Sequence, residues 1–182
     1  MKITVINGTP ENHSGSLDKY LDRIICSLQK EHEVRQYRLR EMKIRPCTGC
    51  FHCWIKTPGT CSFKDESQVL CREYISSDLV LYASPLIMGY PSALMKNAMD
   101  RMIPLIHPYL QEIDGEVHHE KRYCNYPELG LLLEKEEDTD REDTAIVSDL
   151  FERAAINVMS RIRFMIFSDS PIEEVSGAIN NN

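Results

Sequence analysis

The chain has 182 residues, 42% hydrophobic and 27% charged, enough for one ordinary domain that buries roughly 70% of its unfolded surface without needing a disulfide or metal staple. With 21 Lys and Arg against 28 Asp and Glu, its net charge of −7 argues against a nucleic-acid partner, because an acidic surface repels phosphate backbones. No stretch approaches the roughly 20 apolar residues of a membrane-spanning helix. The opening apolar run is too short for a signal peptide, so the expected setting is cytoplasmic, with no membrane partner.

Lys2 to Asn7 reads as a short buried strand closed by Gly8, and residues 9–16 are turn formers and small polar residues. Leu17, Leu21, Ile24, Ile25 and Leu28 recur at helical spacing. Val34 to Leu39 is an edge-strand candidate. A cysteine-rich loop follows at 45–66, punctuated by Pro46, Pro58 and Gly59, and then a short helix from Ser67 to Tyr74. Asp78 to Ser84 reads as an apolar strand ended by Pro85, and Pro91 to Met102 as a helix with Pro91 in its first turn. Residues 104–126 show no clear period and read as an irregular insertion or covering loop. Leu129 to Leu133 is a strand. Thr144 to Val158 is a helix with Ala145, Leu150, Ala154, Ala155 and Val158 facing inward. Ile162 to Phe167 is the last strand, and 171–182 a frayed tail.

Alternating apolar strands and helices predict one α/β domain over residues 1–170: a five-stranded parallel sheet with helices on both faces, in a flavodoxin-like arrangement. Ligands of such sheets bind at the carboxyl ends of the strands. The loop after the first strand carries the hydroxyls of Thr9, Ser14 and Ser16 with Asn12 and Gly15, and no Lys or Arg. Together with a helix N-terminus, that set suits a phosphate monoester. It lacks the Lys of a nucleotide-hydrolysing loop and the spaced glycines of a dinucleotide fingerprint. A solvated turn with a serine cap is the bland alternative. The segment Ser84-Pro85-Leu86-Ile87-Met88-Gly89-Tyr90-Pro91-Ser92 leaves the third strand at the same edge. It can lie along a flat ring and offer backbone donors and acceptors to the ring's polar edge; an ordinary βα turn is its alternative.

The seven cysteines are an odd number in a chain without an export signal, which disfavours a disulfide framework. Four follow the spacing Cys47-x2-Cys50-x2-Cys53-x7-Cys61. Three thiolates two residues apart suit a four-iron cubane, with the Pro58-Gly59 turn returning the fourth. Structural zinc, redox-active thiols and a loop without metal stay open beside it. Cys26, Cys71 and Cys124 read as inert. No Ser-His-Asp or metal-hydrolase constellation is visible, and no catalytic acid or base is named.

Together, Gly8, Thr9, Pro10, Ser14 and Ser16, the pairs Ser84-Pro85 and Pro91-Ser92, and Cys47 to Trp54 with Thr57-Pro58-Gly59 and Cys61 resemble the flavodoxin-like NAD(P)H-dependent FMN reductase family. The nearest branch holds the multimeric flavodoxin-type quinone reductases and the iron–sulfur flavoproteins. The resemblance covers roughly residues 1–103 well and the rest weakly. It implies FMN as cofactor, NAD(P)H as electron donor and a small acceptor such as a quinone or flavin. It implies phosphate contacts from Thr9, Asn12, Ser14, Gly15 and Ser16. Ring contacts would come from Ser84, Pro85, Leu86, Ile87, Met88 and Gly89, largely through the backbone. It also implies a homodimer or homotetramer. An electron carrier with FMN and a 4Fe-4S cluster on Cys47, Cys50, Cys53 and Cys61, serving a redox protein partner, is the second reading; a zinc-bearing binding module without flavin is the third. A phosphoacceptor signalling domain on this fold fails, because its strand ends need acidic residues where Asn7-Gly8 and Ser84-Pro85 stand. Two departures stand out. Glu11 occupies a place where a basic residue is common, and the acidic run 134–140 replaces a small, often glycine-containing loop. Carboxylates in such a run usually face solvent; beside a flavin they would disfavour its anionic reduced form or weaken its binding.

Overall fold

In a computed structural model, residues 1–13 and 15–180 are described. The strands β1 (Lys2–Asn7), β2 (Glu33–Arg38), β3 (Leu79–Ile87), β7 (Glu128–Glu134) and β8 (Ile162–Phe167) form a parallel sheet in the order β2-β1-β3-β7-β8. The two-residue β4 (Tyr90–Pro91) pairs antiparallel with the end of β3. A separate hairpin is made by β5 (Ile106–Ile113) and β6 (Glu116–Lys121). The helices are α1 (Ser16–Leu28), α2 (His52–Ile55), α3 (Ser67–Ile75), α4 (Ala93–Asp100), α5 (Arg141–Asn157) and α6 (Ile172–Asn180). This is the expected flavodoxin-like order, with β2 at the edge.

The sheet is buried on both faces because its strands alternate between two cores. Leu79, Leu81 and Ala83 pack with Leu17, Leu21 and Ile24 of α1 and with α6. Val80 and Tyr82, pointing the other way, pack with Leu70 and Tyr74 of α3, Met95 and Ala98 of α4, and Val147 and Phe151 of α5. Strand period two thus divides one apolar run between two helical layers.

Several elements differ from the sequence expectation. The irregular insertion expected at 104–126 is largely a hairpin whose left-handed turn, Asp114-Gly115, has φ values of 53° and 82°, the geometry that a two-residue hairpin needs. It is pinned at its far strand: buried His118 lies 3.0 Å from Asn157 Oδ1, and His119 packs 5.1 Å from the Trp54 ring. The inner face of α5 is Val147, Phe151 and Ala155, while Ala145 and Leu150 are exposed; the larger side chains set the rotation of the helix, not the alanines. Of the tail expected to fray, Ile172–Asn180 instead form α6, whose Val175 and Ile179 are buried against α1; residues 181–182 lie outside the described residues. Replacing Ile179→Ala is expected to cost roughly 2–3 kcal/mol, read as a lowered urea midpoint with an unchanged slope.

Candidate functional site

Two loops meet at the carboxyl end of the sheet. Gly8 brings them together: a Cβ built there would lie 2.9 Å from Met95 Cβ and 3.1 Å from Ser92 Oγ, so only glycine lets α4 approach this closely. Ser92 caps α4 by accepting from the Met95 N–H at 3.2 Å. Its hydroxyl donates to the Gly8 carbonyl at 2.5 Å, and its N–H donates to Ser84 Oγ at 2.9 Å. The ends of β1 and β3 are therefore held as one unit.

The first loop is fixed from beneath. Asn7 Oδ1 accepts from the Thr9 N–H at 2.8 Å, and Asn7 Nδ2 donates to Asp18 at 2.7 Å. Arg40, from the turn after β2, donates to the Thr9 carbonyl at 3.2 Å and pairs with Asp18 at 2.9 Å. Among the described residues, the buried Thr9 hydroxyl has no hydrogen-bond partner, an uncommon and costly state unless a ligand supplies one. Among the described residues, no side chain caps the start of α1 at Gly15, which leaves its first N–H groups for a ligand. A Cβ at Gly15 would meet nothing within 4 Å.

The second loop is tighter than expected. β3 does not stop at Pro85 but runs through it to Ile87, with Pro85 paired to Glu134 of β7. β1 pairs with β3 only as far as Ala83, so on that side no partner is left waiting for the N–H that proline lacks. Met88 and Gly89, with φ of 54° and 71°, make a two-residue turn into β4. Pro91 therefore lies in a strand, and Ser92 caps the helix where Pro91 was expected to open it. Ser84, Pro85 and Leu86 are buried, Leu86 within the core, so the Leu86 side chain is not free to lie along a ring. Ile87, Met88 and Gly89 reach the surface, and Met88 is 93% exposed.

The acidic segment after β7 divides in two. Glu137 and Asp138 are exposed. Glu134 accepts a hydrogen bond from the Ser16 hydroxyl. Burial raises its carboxyl above the usual range, His13 opposes this, and Asp18 adds to it. Glu136 accepts from the Met88 N–H at 2.9 Å and the Gly89 N–H at 3.1 Å.

Cys47, Cys50, Cys53 and Cys61 line one small hollow with Phe63, Arg101, Ile103 and Pro104. Cys53 is buried, Cys61 half-buried, and Cys47 and Cys50 are exposed. The His52 backbone N–H lowers the Cys50 thiol, as do Ser62 and Thr48, whereas burial raises Cys53. Buried Arg101 donates to Cys61 Sγ at 3.3 Å. Among the described residues, no three His, Cys, Asp or Glu side chains are placed to hold one metal ion; one zinc would need these sulfurs drawn closer. Cys71 is inert, pushed up to about 12 by burial.

A sequence profile of the NADPH-dependent FMN reductase family matches residues 1–123. The chain belongs to that family. It is 36% identical over 108 residues to an iron–sulfur flavoprotein of Archaeoglobus fulgidus, covering 59% of this chain and 48% of that protein. The chain spans about half the length of the curated relatives it matches. Among solved structures, an NAD(P)H:quinone oxidoreductase from Methanothermobacter marburgensis superposes with a TM-score of 0.66 at 12% identity, over 99% of this chain and 96% of that one. An FMN-dependent NADH-azoreductase from Bacillus anthracis in complex with FMN gives 0.62 at 13% identity, over 97% and 93%. At such identities these likenesses establish the fold.

Within this FMN reductase framework, the sheet end gathers Thr9, Gly15 and Ser16 on one side and Ile87, Met88 and Gly89 on the other. Asn12 lies exposed in the short 3-10 turn Glu11–His13, and Ser14 lies outside the described residues. Sequence reasoning missed Arg40, which reaches Thr9 from 31 residues away, and marked the acidic run without singling out Glu136, which reaches Met88 from 48. Among the described residues, no helix is long and apolar enough to cross a membrane.

Proposed function

We propose that this chain is an FMN-dependent oxidoreductase that passes electrons from NAD(P)H to a small acceptor such as a quinone or another flavin. The observation that carries the reading is the buried, unpartnered Thr9 hydroxyl beside the uncapped start of α1, tied through Gly8 and Ser92 to the Met88–Gly89 turn. That arrangement suits a phosphate at one end and the polar edge of a flat ring at the other. Thr9, Asn12, Ser14, Gly15 and Ser16 would hold the phosphate. The stretch from Ser84 to Gly89 would hold the ring, with Ser84, Pro85 and Leu86 acting as its buried support and Ile87, Met88 and Gly89 as its contacts. FMN supplies the hydride and electron chemistry; the protein binds and orients it, and no acid or base residue is required. Exposed Met88, Ile146 and Leu150, with Tyr109, Leu110 and Val117 on the hairpin, support a homodimer or homotetramer. Seven free cysteines suit a reducing compartment such as the cytoplasm.

Reconstituted with FMN and kept free of oxygen, the protein is expected to lose its yellow colour on adding NADH or NADPH and to regain it on adding a quinone. A flavin that neither nucleotide bleaches would refute the reductase reading.

A second reading is favoured by the four cysteines around one hollow and by the relative named an iron–sulfur flavoprotein. Here a 4Fe-4S cluster on Cys47, Cys50, Cys53 and Cys61 accompanies FMN, and the protein carries electrons to a redox protein partner. Iron and sulfide in stoichiometric amounts without NAD(P)H oxidation would favour it; turnover without iron would exclude it.

A further inference from the structure

The two backbone donors of the Met88–Gly89 turn are already in use. Both residues are left-handed, with φ of 54° and 71°. Consecutive N–H groups in turn conformations like this form a small concavity that attracts anions. Glu136 fills it, one carboxylate oxygen on each N–H, at 2.9 and 3.1 Å. The pyrimidine edge of a flavin presents carbonyl oxygens, which need donors of this kind. Carboxylate and ring edge cannot both take the same pair.

We propose that Glu136 is the residue that sets how tightly this site takes a flavin: its carboxylate stands in for the ring edge on the Met88 and Gly89 N–H groups, and an arriving flavin displaces it. The inference rests on the FMN reading above and deepens it. Only the side chain has to move. The backbone of the segment is held independently, because the Glu136 N–H donates to Thr139 Oγ1 at 2.9 Å and the Thr139 N–H donates to the Glu136 carbonyl at 3.3 Å. The start of α5 is fixed by the Asp140 capping box. Glu136 is half-buried, so a side-chain rotation frees the donors into open space. The competing explanation is that Glu136 braces a strained turn. Met88 is left-handed without being glycine, a strained conformation for an L side chain, and the carboxylate would then assist flavin binding by holding the turn in shape. The two explanations predict opposite signs.

The test titrates FMN and riboflavin into the protein and into Glu136→Ala and Glu136→Gln, reading flavin fluorescence. The two ligands share the ring, and only FMN carries phosphate. Glu136→Ala is expected to bind both about tenfold more tightly, by the same factor for each, since the variant leaves two charge-assisted hydrogen bonds unmade in the free protein. Glu136→Gln, which keeps one acceptor oxygen and loses the charge, should fall between. Unchanged affinity in both variants overturns the proposal, and weaker binding overturns it in favour of bracing. Ser16→Glu separates this from the underlying reading, because it should weaken FMN and leave riboflavin unchanged. If the original protein and all variants take neither ligand, the FMN reading falls and the inference with it. If FMN binds with the Ser16 dependence intact while the Glu136 variants match the original, only the inference falls.

Discussion

Ser16→Glu is expected to abolish retention of FMN while leaving the fold intact. Ser16 opens α1, is exposed, and donates its hydroxyl to Glu134. A second carboxylate there would face the phosphate and Glu134 together. At a separation of about 4 Å, two unit charges near a protein surface repel by up to about 4 kcal/mol. Affinity should therefore fall about 100-fold or more, enough for the flavin to be lost on gel filtration. The fold should persist with a small loss of stability, because the helix dipole's attraction for an acidic residue in the first turn partly offsets repulsion from Glu134. Thermal unfolding and flavin content measured on one sample separate these effects. Retained flavin at full stoichiometry would mean that the phosphate lies elsewhere.

The second large effect concerns the buried ion pair behind the cysteine hollow. Arg101 is 2% exposed and meets both oxygens of Asp65, at 2.9 and 3.0 Å. It also donates to Ser67 Oγ at 2.7 Å, to Cys61 Sγ at 3.3 Å and to the Arg45 carbonyl. Arg101→Met leaves the Asp65 carboxylate without its cation and should cost about 3–5 kcal/mol, a loss of roughly 10 °C in Tm for a chain of this size. The pH dependence follows from Asp65. Burial alone would raise its carboxyl, but hydrogen bonds from Arg101, Ser67 and the Arg45 N–H hold it at about 2. A depressed carboxyl stabilises the fold above its unfolded value near 3.9 and loses that contribution as pH falls toward about 2. The contribution is about 2 kcal/mol, by the usual conversion of pKa difference to free energy. Acid unfolding of the original protein should steepen between pH 4 and about 2, and Arg101→Met should diminish that component, leaving what Ser67 and the Arg45 N–H supply. Equal acid profiles for the two proteins would show that the pair contributes nothing to stability.

The sheet was legible because each strand is a short apolar run flanked by turn residues, and a strand buried on both faces needs no finer pattern. The hairpin over 106–121 was not read, although Asp114-Gly115 is the dipeptide that favours a two-residue turn. Its strands, rich in His and Glu, lack the apolar alternation that marks a strand. Pro85 reads as a terminator, yet β1 has already ended beside it, so nothing there needs its missing N–H. The orientation of α5 was misread because alanines mark a helix without fixing its face, and Phe151 does fix it. The loop after β1, which we propose holds the phosphate, shows its hydroxyls and glycines locally in the sequence. The roles of Arg40, Arg101 and Glu136 could not be read that way: each acts on a group at least 31 residues distant, and charge run together in sequence does not say which carboxylate turns inward. The departure at 134–140 was visible in the sequence; that Glu134 and Glu136 reach the site while Glu137 and Asp138 face solvent was decided by the end of β7.

The visible spectrum of protein purified without oxygen and then offered FMN, with metal analysis on the same sample, decides whether this chain is a flavoprotein. Two resolved flavin bands at one flavin per chain are expected, with iron beneath them only if the cysteine hollow carries a cluster. A colourless protein that takes up no added FMN would contradict it, and would mean that Glu134 and Glu136 close the site to a flavin.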